Sequence, residues 1–110
     1  MAAKPIAIAV SDAIHVSGLL QVPPNALACY VLAHGAGAGM DHPFMRAVAD
    51  GLTLRSMATL RYQFPYMEGR AKRPDPPQLA QATVRAAVSA AAPLLPELPL
   101  IAGANRLAAA

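Results

Sequence analysis

The residues with the clearest chemical potential in this sequence form a glycine-rich segment, "HGAGAG", at positions 34–39. This segment directly follows the apolar run "VLA", which ends a predicted strand. Glycine lets the backbone bend sharply where a strand ends, and it leaves backbone N–H groups uncovered by side chains. Bare N–H groups of this kind bind a phosphate or the oxyanion of an acyl-transfer reaction. The segment is therefore the first candidate site.

Four interpretations of this segment compete. A dinucleotide-binding loop requires Gly-x-Gly-x-x-Gly, but counting from Gly35 places Met40 at the third glycine. In addition, a dinucleotide-binding domain has an acidic residue at the end of the next strand, where it binds the ribose. This sequence has Arg61-Tyr62 at that position instead. A P-loop requires Gly-Lys before Ser or Thr, whereas the sequence has Gly39-Met40-Asp41. The other two interpretations are a His-Gly oxyanion loop of the α/β-hydrolase type and a structural turn of small residues.

Apolar runs and helical stripes indicate the elements that position this segment. Strands are predicted at 6–10, 14–22, 27–33, 57–61 and 98–102. A first helix begins at Pro43, is capped by Asp41 or His42, and carries an apolar stripe at Phe44, Met45, Val48, Ala49 and Leu52. A second helix covers 78–92 and ends at Pro93 and Pro96, while residues 62–77 are predicted to form a loop.

The order of these elements predicts an α/β fold. Strands alternating with helices are typical of right-handed crossovers in a doubly wound, mostly parallel sheet. We expect part of such a sheet, with about five strands and two helices, the first two strands forming an opening pair. At 110 residues, the chain has room for one domain only.

Three motifs carry a resemblance to a known family: "VLAHGAGAGMDHPFM", "RYQFPYMEGRAKRPDPP" and "LPLIAG". In this order they resemble the amino-terminal half of α/β-hydrolases of the dienelactone-hydrolase-like group. The most similar members are related to the hydrolase-like domain of subunit three of the nonspecific-lethal chromatin complex. The resemblance predicts that residues 1–103 form the amino-terminal half of such a domain and that residues 104–110 are a tail foreign to the family.

The resemblance also implies roles for the glycine-rich segment. The backbone N–H of Ala36, or of Gly35 or Gly37 beside it, would stabilise the oxyanion, and His34 would support the loop. After "LIAG" the family continues with Gly-Lys-Ser-hydrophobic-Gly-Gly-Arg, in which the Ser is the nucleophile, and a catalytic Asp and His follow later. This sequence has no counterparts of the nucleophile, the acid or the base.

No other side chain is a convincing replacement for the missing nucleophile. The four serines, Ser11, Ser17, Ser56 and Ser89, do not lie on a Gly-x-Ser-x-Gly turn, and an unactivated hydroxyl is a weak nucleophile. Asp41 and His42 are interpreted as helix caps, and His15 lies in a strand without an evident partner. These residues and His34 lack metal-ligand spacing, so we expect no metal and no cofactor.

The tail following Gly103 suggests a change of reading frame. With one choice of codons, translation from the last base of the Gly103 codon yields Gly-Lys-Ser-Phe-Gly-Gly-Arg, which is the elbow that the family places here. We therefore hypothesise a one-base frame change or a sequencing error of that size. The alternative is a deliberate boundary followed by a vector-derived tail.

Charge and cysteine content exclude several function classes. The 9 basic and 6 acidic residues give a net charge of +3, and the excess is concentrated at Arg70, Lys72 and Arg73. No basic helix or aromatic-interleaved patch accompanies this cluster, so a solvated loop is favoured over a nucleic-acid surface. The single Cys29 lies in a predicted strand, which favours a buried thiol in a reducing cytoplasm. No apolar run has the length of a membrane span or signal peptide, so a cytoplasmic location without membrane contact is expected.

Two functions remain. The first is hydrolysis of a small-molecule ester or acyl substrate by the full-length form, with this chain inactive because the catalytic triad is absent. The second is a non-catalytic α/β interaction module that binds a partner through an exposed sheet edge, and self-association through that edge is one form this binding could take.

Overall fold

The computed structural model describes residues 3–33, 40–68 and 75–104 of the chain. These residues form five strands and three helices. In chain order they are β1 (Lys4–Ala9), β2 (His15–Gln21), β3 (Ala28–Ala33), α1 (Pro43–Leu54), β4 (Met57–Tyr62), α2 (Pro65–Glu68), α3 (Pro77–Leu94) and β5 (Leu100–Ala104).

All five strands belong to one mixed sheet with the order β1-β2-β4-β3-β5. The β1–β2 and β2–β4 pairs are antiparallel, whereas the β3–β4 and β3–β5 pairs are parallel. Since β3 pairs with β4 and β5, the chain must cross over the sheet twice, once through α1 and once through α3. The predicted α/β class with a sheet of five strands is confirmed.

The helices cover opposite faces of the sheet. Alternate residues of the central strands, including Val31 and Leu60, pack with Ala87 and Ala91 of α3. The full buried cluster on this face contains Ile8, Val16, Leu20, Cys29, Val31, Ala33, Ala58, Leu60, Tyr62, Ala87 and Ala91. The small alanines of α3 allow its backbone to approach the sheet closely, and this layer is the apolar core.

The opposite face, beneath α1, is more polar. Gln21, Thr59 and Arg61 are buried there. The Gln21 amide donates hydrogen bonds to Asp50 Oδ1 at 3.1 Å and to Thr53 Oγ1 at 2.7 Å, both on α1. Because buried polar groups are costly unless they are paired, these bonds fix how α1 sits on β2.

The start of α1 follows the sequence prediction and resolves its alternative. His42 is the N-cap, since its Nδ1 accepts a hydrogen bond from Phe44 N at 3.1 Å, and Pro43 occupies the first turn. Asp41 is not the cap and instead lies 3.7 Å from Arg46 Nε. Within the predicted apolar stripe, Met45 and Ala49 are buried, but Phe44 is 56% exposed.

The predicted end of α3, the predicted start of β5 and the predicted loop after β4 are wrong. Helix α3 continues through Pro93 to Leu94. A proline in the last turn removes only one backbone hydrogen bond of the helix, and Leu95 N still donates to Ala91 O at 3.0 Å. Strand β5 begins at Leu100 instead of Leu98, because Leu98 N closes a turn onto Leu95 O at 3.1 Å. The predicted loop after β4 contains α2, a single helical turn.

Candidate active site

The carboxyl ends of β3, β4 and β5 meet at one edge of the sheet. Leu32 is aligned with Arg61 of β4 and with Gly103 of β5. Ala33, the last residue of β3, is aligned with Ala104. In open α/β sheets, ligands bind beyond the carboxyl ends of parallel strands, so this edge is the candidate site.

The predicted oxyanion residues follow β3 directly in the sequence. His34, Gly35, Ala36 and Gly37 lie outside the described residues, so their predicted roles stay predictions. The structure does describe the residues before and after them, namely Ala33 and Met40.

Arg61 links the end of β4 to the start of α1. Its Nη1 donates to the backbone carbonyl of Met40 at 3.0 Å, and its side chain is 3% exposed. Burial lowers the pKa of Arg61, with Asp41 and Asp50 opposing this effect and Arg46 adding to it. The guanidinium nevertheless stays charged, since arginine does not deprotonate in proteins. Met40, the residue that follows the glycine-rich segment, is thus anchored to the sheet by a charged hydrogen bond.

A polar cavity of about 310 Å³ adjoins this link. It is lined by Ala3, Leu19, Gln21, Asp41, Arg46, Asp50 and Arg61. Buried Arg61 Nε has no hydrogen-bond partner in the part of the chain that the structure describes. The cavity has room for water, and water is the usual partner of such a group. The cavity lining carries two carboxylates, Asp41 and Asp50, and two guanidinium groups, Arg46 and Arg61. Because these charges balance, the cavity is not selective for an anion or for a cation.

The segment following β4 is held against β2. Tyr62 is buried, which raises the pKa of its hydroxyl to about 12, and its ring meets that of Phe64 edge to face with centroids 5.7 Å apart. Glu68 of α2 accepts hydrogen bonds from Ser17 N and from Gln63 Nε2. Burial raises the pKa of Glu68, but these bonds outweigh it and hold that pKa below its ordinary value.

The structure does not assemble a substitute catalytic triad from the described residues. Ser11 lies in a turn, Ser56 follows α1 with a φ of 61°, and Ser89 is exposed on α3. Ser17 does lie near the candidate edge, but its backbone N–H is bonded to Glu68, and no hydrogen bond from an imidazole to Ser17 occurs in residues 3–33, 40–68 and 75–104. His42 serves as a helix cap, and His15 is exposed on β2.

The buried polar residues beneath α1 are not among the site residues predicted from the sequence. The signal was present, because Thr59 and Arg61 alternate with apolar residues along "MATLRY". A period of two in a strand places both on one face, which here is the face toward α1.

Two further observations concern ligands and membranes. In the described ranges, no three His, Cys, Asp or Glu side chains are grouped so that they could hold a metal ion. None of the three helices found there combines the length and the apolar character required to cross a bilayer.

Comparison with protein families gives one match. The family described as "Alpha/beta hydrolase domain" matches residues 26–105, which extend from before β3 to the end of β5. No curated protein matches the chain in sequence.

Solved structures of hydrolases have the same fold. Dienelactone hydrolase from Anabaena variabilis is 23% identical, with a TM-score of 0.76 over 93% of this chain and 50% of that one. XC6422 from Xanthomonas campestris, a serine hydrolase without a lid, is 14% identical, with a TM-score of 0.76 over 99% and 53%. Est1E from Butyrivibrio proteoclasticus, solved with ferulic acid, is 21% identical, with a TM-score of 0.73 over 90% and 41%. The chain therefore spans about half the length of these structures.

Proposed function

This chain belongs to the α/β-hydrolase family, and from this premise we propose that the complete domain hydrolyses esters or related acyl compounds with a serine nucleophile. We further propose that residues 1–110 alone are inactive. The activity is proposed for the complete domain because the chain spans about half the length of the similar hydrolases.

The alignment of Ala33 with Ala104 is the observation that carries this proposal. It brings the residue preceding the glycine-rich segment beside the residue that ends β5. A nucleophile placed on a turn immediately after β5 would therefore lie next to backbone N–H groups of the segment after β3. An oxyanion site requires this proximity, because its donors must reach the oxygen of the carbonyl that the nucleophile attacks.

The proposed roles follow from that placement. The N–H of Ala36, or of its neighbours Gly35 and Gly37, stabilises the oxyanion, while His34 supports the loop. The serine attacks the acyl carbon, a histidine accepts its proton and then passes it to the leaving alkoxide, and an aspartate orients the histidine. The 110 residues contain no Gly-x-Ser-x-Gly turn, so the chain lacks the attacking atom.

The test is hydrolysis of 4-nitrophenyl acetate by the purified chain. Exposed histidines cleave this ester slowly without an active site, so the same chain unfolded in urea is the control. We expect the folded protein to be no faster than the unfolded protein, in which the thiol of Cys29 is also exposed to the ester. A faster folded protein whose excess rate disappears on replacement of one serine would contradict the proposed inactivity.

The gene provides the complementary test. The DNA is sequenced across codons 98–110 and onward for several hundred bases, and the product of any open shifted frame is expressed. We expect an elbow serine, and replacing it with alanine should abolish hydrolysis of the ester. If the shifted frame closes or its product is inactive, the serine-hydrolase assignment loses its basis.

A further inference from the structure

The polar cavity of about 310 Å³ lies between α1 and the part of the sheet that is remote from β5. Its described lining residues belong to β2, β4 and α1, to the turn before α1 and to the residue before β1. In the sheet, β3 separates β2 and β4 from β5. The walls of this cavity are therefore formed by elements whose mutual placement the structure gives.

Two of the four charged residues in the lining offset each other. Asp41 Oδ1 lies 3.7 Å from Arg46 Nε, and both side chains are mostly exposed. Arg61 and Asp50 are different, because they form no ion pair with each other within residues 3–33, 40–68 and 75–104. The cavity thus offers one cationic group and one carboxylate that are not paired with an opposite charge of the described protein.

Arg61 provides the cationic end of the cavity. Its Nη1 already donates to the carbonyl of Met40 at 3.0 Å, whereas its buried Nε has no partner among the described residues. The Nε and Nη2 atoms of an arginine present two parallel N–H groups, which match the two oxygens of a carboxylate. A buried donor without an acceptor is costly, so a ligand that supplies one gains binding free energy here.

Asp50 provides the anionic end. The amide of Gln21, which is 2% exposed, donates to Asp50 Oδ1 at 3.1 Å and to Thr53 Oγ1 at 2.7 Å. These bonds hold the carboxylate in place, but a neutral amide does not neutralise its charge. Since a carboxylate accepts several hydrogen bonds, Asp50 can also accept one from an ammonium group.

We propose that this cavity binds a free α-amino acid, whose carboxylate pairs with Arg61 and whose ammonium group pairs with Asp50. An amino acid carries both charges on one carbon atom and is neutral overall, as the lining is. A simple anion or cation would leave one of the two protein charges without a partner. Ala3 and Leu19, the apolar residues of the lining, favour a small aliphatic side chain. The ligand replaces the water that otherwise hydrates the guanidinium.

Nuclear magnetic resonance of the ¹⁵N-labelled chain tests the proposal, because the Nε–H signal of Arg61 reports on the site directly. The chain is titrated at pH 7 and constant ionic strength with L-alanine, with N-acetyl-L-alanine, which lacks the ammonium group, and with L-alaninamide, which lacks the carboxylate. We expect L-alanine to shift this signal saturably and each derivative to bind at least about tenfold more weakly.

A substitution identifies the anionic end. Asp50→Asn keeps an oxygen that can accept from Gln21 but removes the charge, so we expect it to weaken L-alanine binding at least about fivefold. The matched control is Asp12→Asn, which removes an exposed carboxylate that does not line the cavity and should leave the affinity unchanged.

Three results would overturn the proposal: no saturable shift up to about 50 mM L-alanine, a derivative that binds as tightly as L-alanine, or equal weakening by the two substitutions. The dispersion of the amide signals verifies that each variant is folded. If Asp50→Asn does not fold, the three ligands decide on the native chain alone. None of these measurements depends on catalysis, so their failure would leave the proposed hydrolase function unaffected.

Discussion

Burial controls the chemistry of the individual side chains in the sheet. Cys29 is completely buried in β3, and this desolvation raises the pKa of its thiol from 9.0 to about 11. The folded chain therefore holds this proton more tightly than the unfolded chain does. The resulting contribution to stability is present below pH 9 and is lost as the pH rises toward 11. The predicted buried thiol is confirmed.

Cys29 should consequently be unreactive in the folded protein. At pH 8, a thiol with a pKa of 11 is about 0.1% ionised, compared with about 10% for a pKa of 9. We expect its reaction with a disulfide reagent to be at least about a hundredfold slower in the native chain than in guanidinium chloride. Comparable rates in the two conditions would mean that β3 is not buried.

At the scale of elements, β2 packs closely because of one glycine. A Cβ atom on Gly18 would lie 3.1 Å from Ile8 Cδ1 and from Leu60 Cδ1, and 3.2 Å from Ile6 Cγ1. The missing side chain lets three apolar side chains from the strands on either side of β2 converge. In contrast, a Cβ on Gly51 of α1 would contact only Arg55 Nη1, at 3.6 Å.

Alanine substitution of the two glycines should therefore have opposite effects on stability. Gly18→Ala overpacks the core at a cost of about 1–3 kcal/mol, which exceeds the 0.5–1 kcal/mol gained from restricting the unfolded backbone. Gly51→Ala also restricts the unfolded backbone, but its added Cβ has no short contact with the core. It should therefore stabilise the chain by about 0.5–1 kcal/mol. Urea unfolding midpoints measure both changes, and shifts of the same sign would contradict this account of the packing.

At the scale of the whole molecule, the two faces of the sheet are covered unequally. Helix α3 contacts β1, β3, β4 and β5, whereas α1 lies mainly on β4. The groove of about 290 Å³ beside α1 is lined almost entirely by apolar side chains. These are Tyr30, Leu32, Ala33, Phe44, Met45, Val48 and Leu52. Exposed apolar surface of this kind binds apolar molecules.

We expect the folded chain to bind the dye 8-anilinonaphthalene-1-sulfonate in this groove. Phe44→Gln should weaken binding about fivefold, corresponding to about 1 kcal/mol of lost apolar contact. Leu54→Gln is the matched control, because Leu54 is 85% exposed but does not line the groove. Fluorescence titration gives the dissociation constant of the dye for each variant. Equal weakening by both substitutions would show that the dye binds outside the groove.

Much of the fold follows from local patterns, because each of the five strands is rich in apolar residues and α1 has a proline start with a capping residue before it. The boundaries of β5 and α3 were mispredicted for a physical reason. The apolar residues Leu94, Leu95 and Leu98 suit a helix, a turn or a strand equally, and hydrogen bonds to neighbouring residues determine which one forms.

The candidate site was only partly predictable. The glycine-rich segment was evident from its composition, but the pairing of Ala33 with Ala104 depends on a register between residues 71 positions apart, as the residue numbers show. The charged link from Arg61 to Met40 likewise depends on tertiary structure. The alternation along β4 places Arg61 on one face of the sheet, but it does not say that the guanidinium meets the carbonyl of Met40, 21 positions earlier.

The strand order also determines when the protein can assemble as it is synthesised. Among the strands that the structure describes, only β4 joins the β1–β2 hairpin to β3, yet it is synthesised after both. Until Tyr62 has left the ribosome, β3 cannot pair with β4 or with β5. Its apolar residues therefore stay exposed while the chain is extended. Assembly is then limited by the arrival of one central strand, and this interval is when a nascent chain most needs protection from aggregation.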